Sequence, residues 1–456
     1  MGMIAAALLA AAGAKPATAQ SPTEVEERKG EYCGLCEAKK RFHQATPWLE
    51  VGADLRLRAI YDQAVTSLDK DSRGHDRFWQ RFRARVWGKI TPIENLDVNV
   101  RLVTEPRHYC RPDTQNDKFI RQEVLFDQLN VKWSKMFGLP MNATVGRQDI
   151  RLGEGWLVNE GTPLDGSRTI FFDAARLVCD LKDLKTQANL IYIENHANSG
   201  YYIKPFDDDH VDLAEQDERG AILYLSNKSI AKMQIDGYFI WKHDSGARSR
   251  YSKATEGDLY TFGVLVKGDL DDHWKYYAEA APQFGNKNGY DISAFGLNSK
   301  LSYLFKDPRK NGLHLMYEYL SGGEHPAENF DRLWGRYPQW SDIYNGYIDS
   351  IEDKADNSSN LHRVGLAWSV EPTKKLEMLT SCSLLFADDN YAKGTATGLS
   401  DSGCFRGQVG SWLLKYTINE HVKGHLLGEV FGPGDFYADA RNDVATFLRF
   451  EIVFSW

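Results

Sequence analysis

Arg81, Arg83 and Arg85 stand at every second position of one segment, and Arg56 with Arg58 repeat that spacing upstream. On an extended strand, residues two apart share a face, so each set lines up its guanidinium groups side by side. Like charges in such a row repel and are costly without an anion or an acidic partner. The planar guanidinium fork matches carboxylates and phosphates bidentately, so the chemistry of this face is recognition of acidic solutes. Arg101, Arg147, Arg363 and Arg449 fall on the polar faces of their own segments and extend the set. For any one of them the competing reading is an ion pair with an acid on a neighbouring strand, Asp54, Glu318 or Glu451 among the candidates, that stiffens a wall.

Nothing in the chain points to catalysis. No G-x-S-x-G, H-E-x-x-H or phosphate-loop motif is present, so the chain reads as a non-enzyme without a cofactor. A net charge of -8 and the lack of a Lys/Arg tract leave no footprint for nucleic acid. Cys33 and Cys36 form a CxxC, but residue 37 is Glu, so haem attachment fails. A local disulfide and half of a metal site both remain open there, an exported chain favouring the disulfide. Cys110 with Cys179, and Cys382 with Cys404, are two further candidate bridges. His421 and His425 read as a pair on one strand face rather than a metal site.

The elements that must position these groups repeat with period two, the pattern of half-buried strands. Residues 48–61 put Leu49, Val51, Ala53, Leu55, Leu57 and Ala59 on one face and Asp54, Arg56 and Arg58 on the other. Residues 78–90 set Phe78, Phe82, Ala84, Val86 and Ile90 against the three arginines and Lys89. The closing segment TFLRFEIVFSW, 446–456, carries Leu448, Phe450, Ile452, Phe454 and Trp456 on a continuous apolar face. About eighteen such strands follow one another between residues 48 and 456. Their connections alternate between short turns and longer segments, the longest at 322–358, with Trp334 and Trp340. A soluble sandwich has no reason to sort its loops this way, whereas an outer-membrane barrel has short periplasmic turns and long extracellular loops.

A mean hydropathy of -0.48 and the absence of an apolar run of about 18 residues exclude a helical membrane protein, but not one made of strands. The expectation is therefore all-β: a transmembrane antiparallel β-barrel of the bacterial outer membrane, apolar face to lipid and polar face to the lumen. Residues 1–19, MGMIAAALLAAAGAKPATA, read as a signal peptide, residues 20–46 as a periplasmic segment with the CxxC, and 47–456 as the barrel.

The arginine-rich RFRARVWGKI at 81–90, the VGRQ at Val145–Gln148 followed by Gly153, Gly155 and Trp156, and the closing FLRFEIVFSW resemble, in that order, the alginate export family of outer-membrane porins. The resemblance covers roughly residues 46–456. It implies a monomeric barrel whose arginine-lined, electropositive lumen passes a polyuronate, with Arg58, Arg83, Arg101, Arg147, Arg363 and Arg449 in the lining. Expected partners are an anionic polysaccharide or its fragments, outer-membrane lipid and periplasmic export components. Passage of small anions or nutrients, and a structural or adhesive surface barrel, are the alternatives. The CxxC segment departs from the family pattern.

Overall fold

The computed structural model describes residues 34–112, 119–120, 123–160, 171–198, 200–206, 216–245, 255–335, 340–346, 351, 359–390 and 398–456. The expected signal peptide and Cys33 lie outside these residues. A helix, α1 (Gly34–Ala45), precedes the wall.

Eighteen antiparallel strands close into a barrel. They are β1 (Leu49–Gln63), β2 (Asp76–Ile93), β3 (Leu96–Thr104), β4 (Leu125–Trp133), β5 (Met141–Gln148), β6 (Phe172–Leu181), β7 (Thr186–Asn195), β8 (Asp217–Asn227) and β9 (Met233–Ser245). The second half is β10 (Gly257–Asp269), β11 (Trp274–Lys287), β12 (Tyr290–Leu304), β13 (Gly312–Leu320), β14 (Leu361–Thr373), β15 (Leu376–Phe386), β16 (Phe405–Thr417), β17 (Val422–Pro433) and β18 (Ala445–Ser455). Each strand pairs with the next, and β18 pairs with β1, Ile452 opposite Leu57, so the wall has no free edge. Closure is what allows strands to cross a bilayer, where an unpaired backbone group costs several kcal/mol. A short strand, Arg107–Arg111, extends the wall beside the outer end of β2.

The sequence alternation becomes two surfaces. On β1, Leu55 is 42 % exposed while Arg56 and Arg58 are buried; on β2, Val86 is 61 % exposed between Arg85 and Trp87. The exposed apolar face is the lipid face, and the buried polar face is the lumen. The short turns also lie where expected, at 94–95, 134–140, 182–185, 228–232, 270–273, 305–311, 374–375 and 418–421. By the general rule for such barrels they mark the periplasmic end. Only the two-residue link 288–289 between β11 and β12 breaks the alternation of short and long.

The barrel is not hollow towards its outer end. Trp334, Phe330, Tyr344, Phe436, Leu68 and Ile150, all from connections rather than wall strands, are fully buried in one apolar cluster with inward wall residues such as Ile60, Ile191 and Ile222. The described residues of the longest connection therefore fold into the lumen. Two wall glycines admit its rings: a Cβ on Gly220 would meet the Trp334 ring at 2.3 Å, and one on Gly296 would meet Phe330 and Trp156 at 2.7 and 2.8 Å. Such separations are far inside van der Waals contact, so any larger residue would displace the ring.

Two expected bridges are absent. Cys110, Cys179, Cys382 and Cys404 are free thiols. Cys110 lies in the short strand beside the outer end of β2, whereas Cys179 is near the periplasmic end of β6, so the barrel's length separates them. Cys382 sits mid-strand opposite Leu366, on the lipid face, while Cys404 lies in the outer connection just before β16.

Candidate functional site

The inward arginines concentrate on four adjacent strands, β18, β1, β2 and β3. The β1–β2 register places Arg56 directly opposite Arg83 and Arg58 directly opposite Arg81. Two unit charges about 4 Å apart repel by roughly 4 kcal/mol at the effective dielectric of a protein surface, so this ladder needs acids between its rungs. Glu105, just beyond β3, bridges Arg56 and Arg81, each at 2.7 Å. Asp54 lies 2.6 Å from Arg85 and 3.5 Å from Arg83. Glu451 on β18 pairs with Arg58, with Arg56 at 3.8 Å and with His425 at 3.3 Å. Arg101 closes the run on β3, held by Asp127 at 2.8 Å and Asp149 at 3.0 Å. Both sequence readings thus meet in one structure: the like charges stand in a row, and acids hold them there.

Arg449 and Arg363 are inward too but belong to the packed outer zone. Arg449 donates to Asp342 at 2.8 Å and to His425 at 2.9 Å. Arg363 lies 3.3 Å from Glu318 and under the Trp340 ring at 4.9 Å.

Arg147 is the correction. Its register partners are Leu129 and Asp173, and it shares a strand face with Val145, which is 60 % exposed, rather than with Gln148. It therefore has the outward parity of the wall at the outer rim, where it pairs with Asp173 at 2.9 Å beneath the Phe171 ring.

Between β1, β2 and β3, towards the periplasmic end, is a cavity of about 260 Å³ lined by Trp87, Arg85, Lys89, Arg101, Asn99 and Glu50 among others. An aromatic face beside three cations and an amide offers what a carboxylated sugar presents: an apolar ring face, hydroxyls and a charge. Across the lumen the chemistry changes. Tyr224 donates to Asp236 at 2.6 Å, Tyr238 donates to Glu279 at 2.8 Å, and the two rings stack at 5.5 Å. Lys267 pairs with Glu154 of an inward loop at 2.7 Å. The sequence contained one usable sign of this tyrosine and acid band, since Tyr224 and Tyr238 occupy the inward positions of β8 and β9. The lumen therefore has an arginine wall held by acids and, opposite it, a wall of tyrosines, carboxylates and the paired lysines Lys242, Lys267 and Lys287.

His421 and His425 do not form the expected pair. His425 joins Glu451 and Arg449 inside the barrel, whereas the Nε2 of His421 meets Cys36 of α1 at 3.0 Å at the periplasmic end.

Known proteins agree with this architecture. Several solved structures share the fold. OccAB3 of Acinetobacter baumannii aligns with a TM-score of 0.56 at 10 % identity, over 89 % of this chain and 99 % of that one. The outer membrane protein opdK of Pseudomonas aeruginosa gives 0.55 at 11 % identity over 89 % and 99 %, and OccK11 (OpdR) of the same species 0.53 at 11 % over 89 % and 95 %. No curated protein sequence matches the chain. The family model for alginate export matches residues 47–450, nearly the whole barrel. The chain belongs to the alginate export family and is an eighteen-stranded channel-type barrel of the bacterial outer membrane.

Proposed function

We propose that this barrel passes an anionic saccharide, an extended polyuronate strand or its fragments, along the basic wall of β18, β1, β2 and β3. The observation that carries the reading is the row of inward arginines in register across adjacent strands, Arg58 and Arg56 against Arg81 and Arg83, with Arg85 and Arg101 continuing it. Guanidinium groups spaced along an extended wall suit a polymer whose carboxylates recur along its length, because each passing unit can exchange one bidentate partner for the next. The acids already on the wall serve that exchange. They hold each arginine in place while weakening its grip on any one carboxylate, and a channel must bind weakly enough to release.

Passage of small anions is the second reading, and the packed outer zone favours it. Trp334, Phe330 and Tyr344 pack into that end of the lumen, and a small anion needs less room there than a hydrated polymer. Proteoliposomes loaded with a uronate trisaccharide, a neutral trisaccharide of equal size or a simple carboxylate separate the two readings. Preferential efflux of the uronate supports the first, and equal efflux of all carboxylates regardless of the sugar supports the second. Faster efflux of the neutral sugar would contradict both.

A further inference from the structure

At the periplasmic end, next to the foot of the arginine wall at Asp54 and Trp87, α1 packs across the rim of the barrel. The ammonium of Lys39 lies over the rings of Trp87 and Trp456 at 5.4 and 6.0 Å. A cavity of about 690 Å³ beneath the helix is lined by Cys36, Lys39, Phe42, Trp87, His421 and Trp456 among others. One turn of α1 from Lys39, three donor atoms of different chemistry converge. The Sγ of Cys36 lies 2.6 Å from Oε1 of Glu420 and 3.0 Å from Nε2 of His421, and Glu420 and His421 are themselves 3.7 Å apart. All three ligand atoms lie within 4.8 Å of one another.

We propose that Cys36, Glu420 and His421 form a zinc site that clasps α1 to the turn between β16 and β17. A thiolate, an imidazole and a carboxylate are a ligand set that zinc accepts in tetrahedral geometry, leaving the fourth position for water or a further ligand. The thiolate selects against calcium and magnesium, which take oxygen. The imidazole is already prepared: its Nδ1 lies 2.8 Å from the backbone oxygen of Ser455 on the last strand. Nδ1 must therefore carry the proton and donate it there, which leaves the Nε2 lone pair directed at Cys36. Outer-shell bonds of this kind fix the tautomer of metal-binding histidines. Bond lengths of roughly 2.3 Å to sulfur and 2.0 Å to nitrogen or oxygen set ligand atoms about 3.5 Å apart in a tetrahedron, so the two short contacts to sulfur must open by less than an ångström. The thiol proton that now points at Glu420 leaves to solvent as the Zn–S bond forms, and thiolate plus carboxylate neutralise the ion.

The clasp joins residues far apart in the sequence, Cys36 and His421 being 385 residues apart. It fixes a helix carrying Lys39, Lys40 and Arg41 against the periplasmic mouth. It also gives Cys36 a use other than the disulfide.

The test uses the full chain, purified and refolded in detergent without metal, with folding verified by heat-modifiable migration. Cobalt titration of this protein should give a thiolate-to-metal charge-transfer band saturating at one equivalent, displaced by zinc. Cys36→Ser and His421→Ala should each abolish it, and Cys404→Ser should leave it unchanged. Zinc should slow tryptic cleavage at Lys39, Lys40 and Arg41, and His421→Ala should remove that protection. The proposal is overturned by absence of the band, by its survival in both variants, or by thiol titration showing Cys36 oxidised in the protein as isolated.

Discussion

Arg332, carried into the barrel by the longest connection, lies 2.6 Å from Glu318 on β13, and both side chains are almost wholly buried. Glu318 is the anchor of the inward zone. It also accepts hydrogen bonds from the indoles of Trp156 at 2.9 Å and Trp340 at 3.0 Å, and from Arg363 at 3.3 Å. One wall carboxylate thus fastens two separate inward segments. Removing one partner of a buried pair leaves an uncompensated charge and costs about 3–5 kcal/mol. Glu318→Ala is expected to lower the unfolding temperature and, by loosening the segments, to raise single-channel conductance. Unchanged conductance in a folded Glu318→Ala barrel would mean these segments do not obstruct the path.

A second anchor sets an acid limit. Asp331 of the same connection lies 2.9 Å from Lys287. Burial pushes its carboxyl up, but Lys287 and Lys242 more than offset this and hold it below the usual carboxylate range. A lowered folded-state pKa contributes stability that is present above the unfolded value of about 3.9 and lost as pH falls through the folded value. Conductance set by this contact should therefore be flat from pH 7 to pH 4 and rise only in stronger acid. Asp331→Asn should raise it at neutral pH, and a wild-type step near pH 6 would show that another group governs the conductance.

The lipid face is tested at Val86, 61 % exposed near the middle of β2. An arginine placed there at the bilayer midplane costs about 2–4 kcal/mol, although Arg85 beside it is native. Val86→Arg should slow assembly into vesicles and lower the denaturant midpoint. A neutral effect would mean that this face does not meet lipid.

The free thiols report the same boundary. Cys382 faces lipid and Cys404 faces the outer medium, both exposed on the isolated barrel. In a bilayer a membrane-impermeant maleimide should label Cys404 and spare Cys382, with no reductant required. A requirement for reductant would restore the bridge that the structure lacks.

The strand order, the two faces and the sorting of loops were legible because period-two alternation and turn length are local properties, visible in segments such as Leu49–Ala59 and Thr446–Trp456. Arg56, Arg58, Arg81, Arg83 and Arg85 were legible for the same reason. Arg147 was misassigned because VGRQ has no run of apolar residues to fix its parity, and a polar side chain at a rim can pair outward, as it does with Asp173. The inward fold of Trp156 and Trp334 depends on space opened by Gly220 and Gly296 on distant strands, which no local pattern reveals. The acids that hold the arginines, Glu105, Asp127 and Asp149, were hidden because they lie at strand ends and at a register shift where alternation fails. The meeting of Cys36 with His421 depends on closure of the barrel itself.

The central claim is that the arginine wall binds uronate units in passage. Single-channel current in planar bilayers, with oligouronate added to one side, measures this most directly. The wild-type barrel should show brief, concentration-dependent blocks that a neutral oligosaccharide does not cause. Arg81→Gln with Arg85→Gln, in a barrel shown to be folded, should shorten those blocks about tenfold or more, one charge-assisted contact being worth roughly 1.5–3 kcal/mol. Blocks of equal duration in the two proteins, or equal block by the neutral sugar, would contradict it.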